Sequence, residues 1–135
     1  MSFLPVDGDL DELCALARRL KLAVILGVIE AGEDRGGHTL YCSSVFIDGN
    51  VPDDVDPIRS VHRKLMPTYD ERLVWGTGDG HGLVAHEVKG FRVTRLNCWE
   101  NWVSCCLFRR GSLVLNTLVG SPGSISLFPF LSREP

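Results

Sequence analysis

The stretch Leu22-Ala-Val-Ile-Leu-Gly-Val-Ile29 decides the fold of this chain. Its apolar residues follow one another without alternation, which is typical of a central strand covered by other layers on both faces. Before it, Asp9 and Glu12 form a capping-box pattern, and the apolar residues of 9–21 fall on one helical face. A core-covering helix that leads directly into a buried strand predicts an α/β layer fold.

Further strands are predicted downstream of this unit. Glu30 is expected to end the first strand at a sheet rim. The later strands are predicted at 39–47, 83–88, 91–97 and 113–119. Residues 51–60 are rich in proline and aspartate and are assigned to no element, while 69–75 is predicted to form a helical turn. The order of elements indicates a mixed α/β pattern without internal repeats.

Size, charge and cysteine usage exclude several classes of protein. The chain has 135 residues, 44% of them hydrophobic, which fits one modest domain. Its net charge is −3 and its basic residues are dispersed, which argues against a nucleic-acid partner. Five cysteines suit neither a disulfide framework nor a CxxC zinc site, so a reducing, cytosolic protein is expected. The amino terminus lacks a signal-peptide pattern, and no apolar run is long enough for a membrane span.

Cys98 lies at the end of the predicted strand 91–97, within Leu96-Asn-Cys-Trp-Glu-Asn-Trp102. In open α/β sheets, ligands bind outside the carboxyl ends of strands, so a thiol there can meet a substrate. A thiolate nucleophile needs a nearby cation and a base, and Lys64 and Glu71 are candidates for these roles. Simpler alternatives stay open: a cysteine that fills the core, a solvated lysine and a surface glutamate.

Other patterns give weaker functional signals. The glycine-rich segment 76–82 is not followed by the Lys and Ser/Thr of a P-loop, so a tight connection is favoured over phosphate binding. His81 and His86 do not have the spacing of a helical zinc motif, and a histidine paired with the thiol of Cys98 is the better use of either ring. The three tryptophans either line an apolar pocket or fill the core. These are Trp75, Trp99 and Trp102.

Three motifs resemble the signatures of a known family. They are His62-Arg-Lys-Leu-Met-Pro-Thr68, then Glu71-Arg-Leu-Val-Trp-Gly76 with Gly78-Asp-Gly80, and Asn97-Cys-Trp-Glu-Asn101. In this order they are similar to the nitrilase branch of the carbon–nitrogen hydrolase superfamily. The resemblance runs from about Asp9 to Asn101. It implies a fragment of an α-β-β-α sandwich that forms oligomers and hydrolyses nitriles to carboxylic acid and ammonia.

The resemblance also assigns roles by motif position. Cys98 would attack the nitrile carbon to give a thioimidate, and Lys64 would stabilise the tetrahedral species. Glu71 would hold the lysine and the substrate in place, while Trp99 and Glu100 would bind substrate by shaping the pocket behind the thiol. Water would complete the cycle through a thioester. No metal or cofactor is implied; the implied partners are a small-molecule nitrile and further copies of the chain, with neither nucleic acid nor membrane.

The chain also departs from the family pattern. The family's general-base glutamate precedes the helix that begins here at Asp9, so it is missing, and Glu30 matches a different strand end that should not replace it. Arg95 stands where the family has small or apolar residues, and a buried arginine would need a carboxylate partner. We therefore expect a partial hydrolase domain at 1–102, followed by a divergent, poorly ordered tail at 103–135.

These departures leave more than one functional hypothesis. Catalytic residues act as a unit, so a chain that lacks one of them is expected to be weak or inactive alone. The alternatives are a catalytically dead interaction module and an enzyme of the cyanide hydratase or dihydratase type. A truncated sandwich also leaves sheet surface uncovered, which predicts association of the chain.

Overall fold

The computed structural model describes residues 9–32, 39–98, 100, 113–117 and 125–128. Helix α1 spans Asp9–Leu20, and a 3-10 helix spans Tyr69–Leu73. The strands are β1 Ala23–Gly32, β2 Thr39–Asp48, β3 Ile58–Arg63, β4 His86–Val88, β5 Phe91–Asn97, β6 Leu113–Thr117 and β7 Ile125–Phe128.

The strands form two sheets. The first has the order β3-β2-β1-β7, and its three pairings are antiparallel. Its longest ladder joins β1 to β2 and runs from Ala23↔Asp48 to Gly32↔Thr39. The second sheet has the order β4-β5-β6, with β4 antiparallel and β6 parallel to β5.

The first sheet lies between the helix and the second sheet. Because side chains of a strand point alternately to its two faces, β1 and β2 contribute to two separate cores. On one face, Val24, Val45 and Ile47 pack against Cys14 and Ala17 of α1. On the other face, the cluster consists of Ala23, Ile25 and Phe46 of the first sheet with Val88 and Val93 of the second. The predicted α/β layer fold is confirmed as an α-β-β arrangement.

The ends of the first two elements differ slightly from the predictions. Helix α1 ends at Leu20 because Lys21 adopts a left-handed conformation with φ 54°. The amide of Leu22 then donates to the carbonyl of Ala17, which caps the helix. Strand β1 does not end at Glu30: it continues to Gly32, since the last residues still pair with β2. Glu30 is therefore an interior residue of the sheet.

Two other strand boundaries also moved. The segment assigned to no element contains the first half of β3, because Ile58 pairs with Ile47 and Ser60 with Phe46. The predicted strand 83–88 is shortened to β4, which starts at His86. The predicted turn at Lys89-Gly90 is present, and both residues have the positive φ of a tight hairpin.

Most of the predicted tail, 103–135, lies outside the described residues. Within it, β6 coincides with part of the strand predicted at 113–119. No element is predicted at β7, which adds an edge strand that pairs with β1. The domain boundary at residue 102 and the poor order of the tail stay predictions.

Candidate active site

The site lies between the two sheets, at the end of β5. Alternate residues of β2 and β3 face the second sheet there, as the contacts of Ser44 and Ser60 with Arg95 of β5 demonstrate. The same alternation places Cys42, His62 and the residue after β3, Lys64, on this inner face. The space between the sheets is therefore apolar near Phe46 and polar toward the strand ends.

Lys64 and Glu71 are in direct contact. Lys64 follows β3, its amide donates to the Cys42 carbonyl at 2.9 Å, and its residue is only 1% exposed. Its Nζ lies 2.5 Å from Oε2 of Glu71, whose side chain is 35% exposed. Glu71 stands in the first turn of the 3-10 helix, where its Oε2 also accepts the Thr68 amide at 2.6 Å. The buried lysine is thus paired with a carboxylate that the capping box fixes in place.

The ionisation of Glu71 reflects these contacts. Burial alone would raise the pKa of Glu71, but the hydrogen bond and charge of Lys64, together with the Thr68 amide, outweigh burial and lower that pKa. Glu71 is consequently a carboxylate at neutral pH, and its negative charge lies against the lysine ammonium.

Cys98 follows the last residue of β5 and is half-buried. Its φ is 54°, a left-handed conformation that costs an L-residue other than glycine about 1–2 kcal/mol. Non-glycine residues keep such a conformation only where surrounding contacts enforce it, and such positions cluster at functional sites. The predicted position of Cys98 at the carboxyl end of a strand is confirmed.

Glu100 provides the contacts that hold this turn. It is 2% exposed, and its Oε2 accepts the amide of Asn97 at 2.7 Å. Its Oε1 accepts the amide of Leu65 at 2.5 Å, and Nε2 of His62 lies 3.0 and 3.2 Å from the two oxygens. Burial alone would raise the pKa of Glu100, but the hydrogen bond and charge of His62 and the two amides outweigh it and lower the pKa.

Cys42 connects the lysine to the end of β5. Its Sγ lies 3.2 Å from Nδ2 of Asn97, the residue before Cys98, and its carbonyl accepts the Lys64 amide. Burial raises the pKa of the Cys42 thiol, although the Asn97 amide and Lys64 act in the opposite direction. Cys42 is therefore a neutral thiol that packs between the two segments.

The structure thus joins the predicted site residues to different degrees. Lys64 and Glu71 touch each other, and Glu100 bonds the amides next to Lys64 and next to Cys98. Asn97, the residue before Cys98, contacts Cys42, whose carbonyl accepts the Lys64 amide. Trp99 lies outside the described residues. The catalytic and substrate-binding roles stay predictions.

Neither Cys42 nor His62 was predicted from the sequence to be part of the site. A usable signal existed for His62: it is two residues before Lys64, a predicted site residue, and strand alternation puts these two residues on one face. The contact of Cys42 with Asn97 joins residues 55 positions apart, and only the packing of the two sheets reveals it.

Two charged residues near the site have partners of their own. Glu30 is buried and accepts hydrogen bonds from Ser43 and from both Nε and Nη2 of Arg63, the latter at 2.6 Å. The carboxylate expected for Arg95 is absent among its described partners: its guanidinium donates to the Ser44 hydroxyl and carbonyl and to Ser60. Neutral oxygens compensate this buried charge incompletely, and burial lowers the pKa of Arg95 to about 10.

The remaining candidate motifs have structural explanations. The glycines of 76–82 allow close packing on β3, because a Cβ at Gly78 or Gly82 would lie 2.2 Å from the Arg63 carbonyl oxygen or 1.9 Å from that of Val61. His81 is exposed beside Asp79, whereas His86 stacks on Phe46, so the two rings have different surroundings. Within the described residues no set of three His, Cys, Asp or Glu side chains is arranged to hold a metal ion.

Comparisons with known proteins agree with this geometry. The profile of the carbon-nitrogen hydrolase family matches residues 6–108. A bifunctional nitrilase/nitrile hydratase of Oryza sativa subsp. japonica is 39% identical over 93 residues, which is 69% of this chain and 23% of that protein. A nitrilase of Bradyrhizobium diazoefficiens is 35% identical over 99 residues, 73% of this chain and 28% of that protein.

A solved structure shows the same fold. A carbon-nitrogen hydrolase from Helicobacter pylori G27 superposes with a TM-score of 0.53 at 21% identity, covering 70% of this chain and 30% of the other. The coverages of the two nitrilase relatives show that the chain spans about a quarter of their length.

Among the described residues, no helix has the length and apolar character needed to cross a bilayer.

Proposed function

This chain belongs to the carbon-nitrogen hydrolase family, and we propose that its site carries out nitrilase-type chemistry on Cys98. The observation that carries the proposal is the ion pair between the buried Lys64 and the partly exposed Glu71, which Cys42 and Asn97 connect to a strained cysteine at a strand end. A buried lysine held by one carboxylate is a fixed positive charge, which can stabilise negative charge that develops during a reaction.

The reaction begins when the Cys98 sulfur attacks the carbon of a nitrile. A carbon–sulfur bond forms, one π bond of the nitrile opens, and its nitrogen takes up a proton to give a thioimidate. Water then adds to the thioimidate carbon, and ammonia leaves to give a thioester. A second water cleaves the thioester to carboxylic acid and restores the thiol. Lys64 stabilises the charge of the tetrahedral species, and Glu71 positions Lys64.

We propose that the hydrolytic half of this cycle is slow in this chain. A general base must present an oxygen that is available to water. Both oxygens of Glu30 and of Glu100 accept hydrogen bonds from the donors described above, so neither carboxylate is placed to activate water. Glu71 accepts both Lys64 and the Thr68 amide through Oε2, which commits this carboxylate to holding the lysine. The thioimidate should therefore accumulate.

The test combines ammonia release with intact mass measurements on the purified full chain. With a panel of aliphatic and aromatic nitriles, we expect an adduct of the mass of one whole nitrile and slow ammonia release. Cys98→Ala should abolish both signals. Cys14→Ala is the matched control, because Cys14 belongs to α1, which packs on the opposite face of the first sheet. Neither adduct nor ammonia with any nitrile, or an unchanged signal in Cys98→Ala, would refute the proposal.

A second candidate function is an interaction module that retains the fold without turnover. The segment around the 3-10 helix supports it, because four large apolar side chains there are exposed, with Leu73 85% and Tyr69 80% accessible. The other two are Met66 and Val74. We propose that the chain associates with copies of itself in the cytoplasm, where the described cysteines remain thiols. A stable monomer in light scattering would contradict the association.

A further inference from the structure

We propose that Glu100, held by His62, is a positioning residue that locks the segment bearing Lys64 to the turn bearing Cys98. This inference rests on the proposed function in that it takes Cys98 and Lys64 as the reacting pair. It assigns Glu100 an indirect role, because both of its oxygens bond protein groups rather than face an open space.

Glu100 accepts two amides that lie in distant parts of the chain. Glu100 accepts the amide of Leu65, the residue immediately after Lys64, and the amide of Asn97, the residue immediately before Cys98. These two segments belong to different sheets and are more than 30 positions apart in the chain. One buried carboxylate therefore fixes the distance between the lysine and the thiol.

His62 supplies a further hydrogen-bond donor to Glu100. Its Nε2 contacts both oxygens of Glu100, and a carboxylate only accepts, so this nitrogen carries the hydrogen. Its Nδ1 is buried and has no partner among the described residues. The ring therefore contacts Glu100 through Nε2 alone. The buried carboxylate of Glu100 is stabilised in the core by this nitrogen and by the two backbone amides.

The backbone at Cys98 is strained. The left-handed φ of 54° is maintained against its conformational cost only while neighbouring contacts hold the turn. The bond from the Asn97 amide to Glu100 holds the backbone of the residue immediately before Cys98. Loss of this bond lets the backbone relax, and the thiol then moves relative to Lys64.

The test uses o-phthalaldehyde, whose two aldehyde groups condense with one amine and one thiol that lie close together to give an isoindole and two molecules of water. The full-length chain is treated without added thiol, and peptide mass spectrometry quantifies the Lys64–Cys98 link. We expect this link in the natural chain. In Glu100→Gln only one oxygen remains as an acceptor, so one of the two amides loses its partner. The rate of linking should fall about tenfold, which is about 1.4 kcal/mol.

Two further variants separate positioning from loss of stability. His62→Gln places an amide donor near the position of Nε2 and should retain the link, whereas His62→Leu should lose it. Glu30→Gln is the matched control: Glu30 is also buried and paired, but with Arg63 and Ser43. It should lower the thermal midpoint to a similar extent as Glu100→Gln and leave the link unchanged.

The outcomes distinguish this inference from the proposed function. Linking that is absent in the natural chain, or equally fast in Glu100→Gln, overturns the positioning role. A Glu100-dependent link without any nitrile adduct supports the positioning role and refutes the proposed chemistry. An adduct combined with a link that Glu30→Gln weakens as much as Glu100→Gln reduces Glu100 to a residue of general stability.

Discussion

Acidification should destabilise this protein through His86, whose ring is held neutral in the folded state. The ring stacks on Phe46 at 4.5 Å, and its Nε2 lies 2.7 Å from the Ser60 hydroxyl. Burial lowers the pKa of His86 from its ordinary 6.5 to about 4, and the charges of Arg95 and Arg59 act in the same direction, while Asp48 opposes them. The folded ring therefore resists protonation that the unfolded chain accepts.

The sign and size of the effect follow from linkage. Between pH 6.5 and about 4 the unfolded state binds the proton and the folded state does not, so stability is complete above this window and falls as the pH is lowered through it. At 1.36 kcal/mol per pKa unit, a shift from 6.5 to about 4 sets an upper limit of about 3 kcal/mol on the full loss. Because the ring is only partly buried, solvent screening reduces the effect, and between pH 7 and pH 5 we expect about 1 kcal/mol.

Urea unfolding followed by circular dichroism at several pH values between 7 and 5 measures this loss. His86→Gln cannot take up the proton, so its stability should change much less with pH, whatever its absolute value. His81→Gln is the control, because the side chain of His81 is 89% exposed. The reasoning is refuted if His86→Gln keeps the pH dependence of the natural chain, or if NMR titration finds an ordinary pKa for His86 in the folded protein.

Three further changes test individual contacts. Arg95→Lys cannot reproduce the bonds to Ser44 and Ser60 and should destabilise the chain by about 1–3 kcal/mol in urea unfolding; a change of a few tenths would contradict the network. Gly82→Ala places a Cβ 1.9 Å from a carbonyl oxygen and should lower the thermal midpoint more than Gly90→Ala, which meets no atom within 4 Å but has φ +80°; equal shifts would argue against close packing. Glu71→Gln should slow nitrile adduct formation roughly tenfold or more, measured by intact mass, with a small effect on stability; an unchanged rate would remove Glu71 from the site.

The polar interior between the sheets explains why part of the site was not predicted. Arg95 was expected to need a carboxylate if buried, yet its described hydrogen bonds go to serine oxygens contributed by two other strands. Neither serine carries a sequence signal, because serine is mostly exposed in proteins and a hydroxyl alone does not indicate burial. Their roles depend on the register of β2 and β3. In that register Ser44 pairs with His62, and the hydroxyls of Ser44 and Ser60 both reach Arg95 of β5.

Glu30 illustrates the same difficulty for a single residue. Its position after an apolar run predicted a strand end at the rim of a sheet. In the structure the ladder continues beyond it, Arg63 pairs with its charge, and Ser43 donates a hydrogen bond to it. A buried charge needs such a partner, and Arg63 belongs to β3, a strand that had not been predicted.

Local pattern alone determined the helix at the amino end, the buried strand after it, the tight turn at Lys89-Gly90 and the cysteine at a strand end. These features depend on periodicity and on residues close together in the chain. Only the tertiary structure decided which groups surround that cysteine. Glu100 reaches the amide of Leu65 across 35 positions, and Asn97 reaches Cys42 across 55. Such contacts depend on how two sheets stack and in which register, which no local pattern encodes.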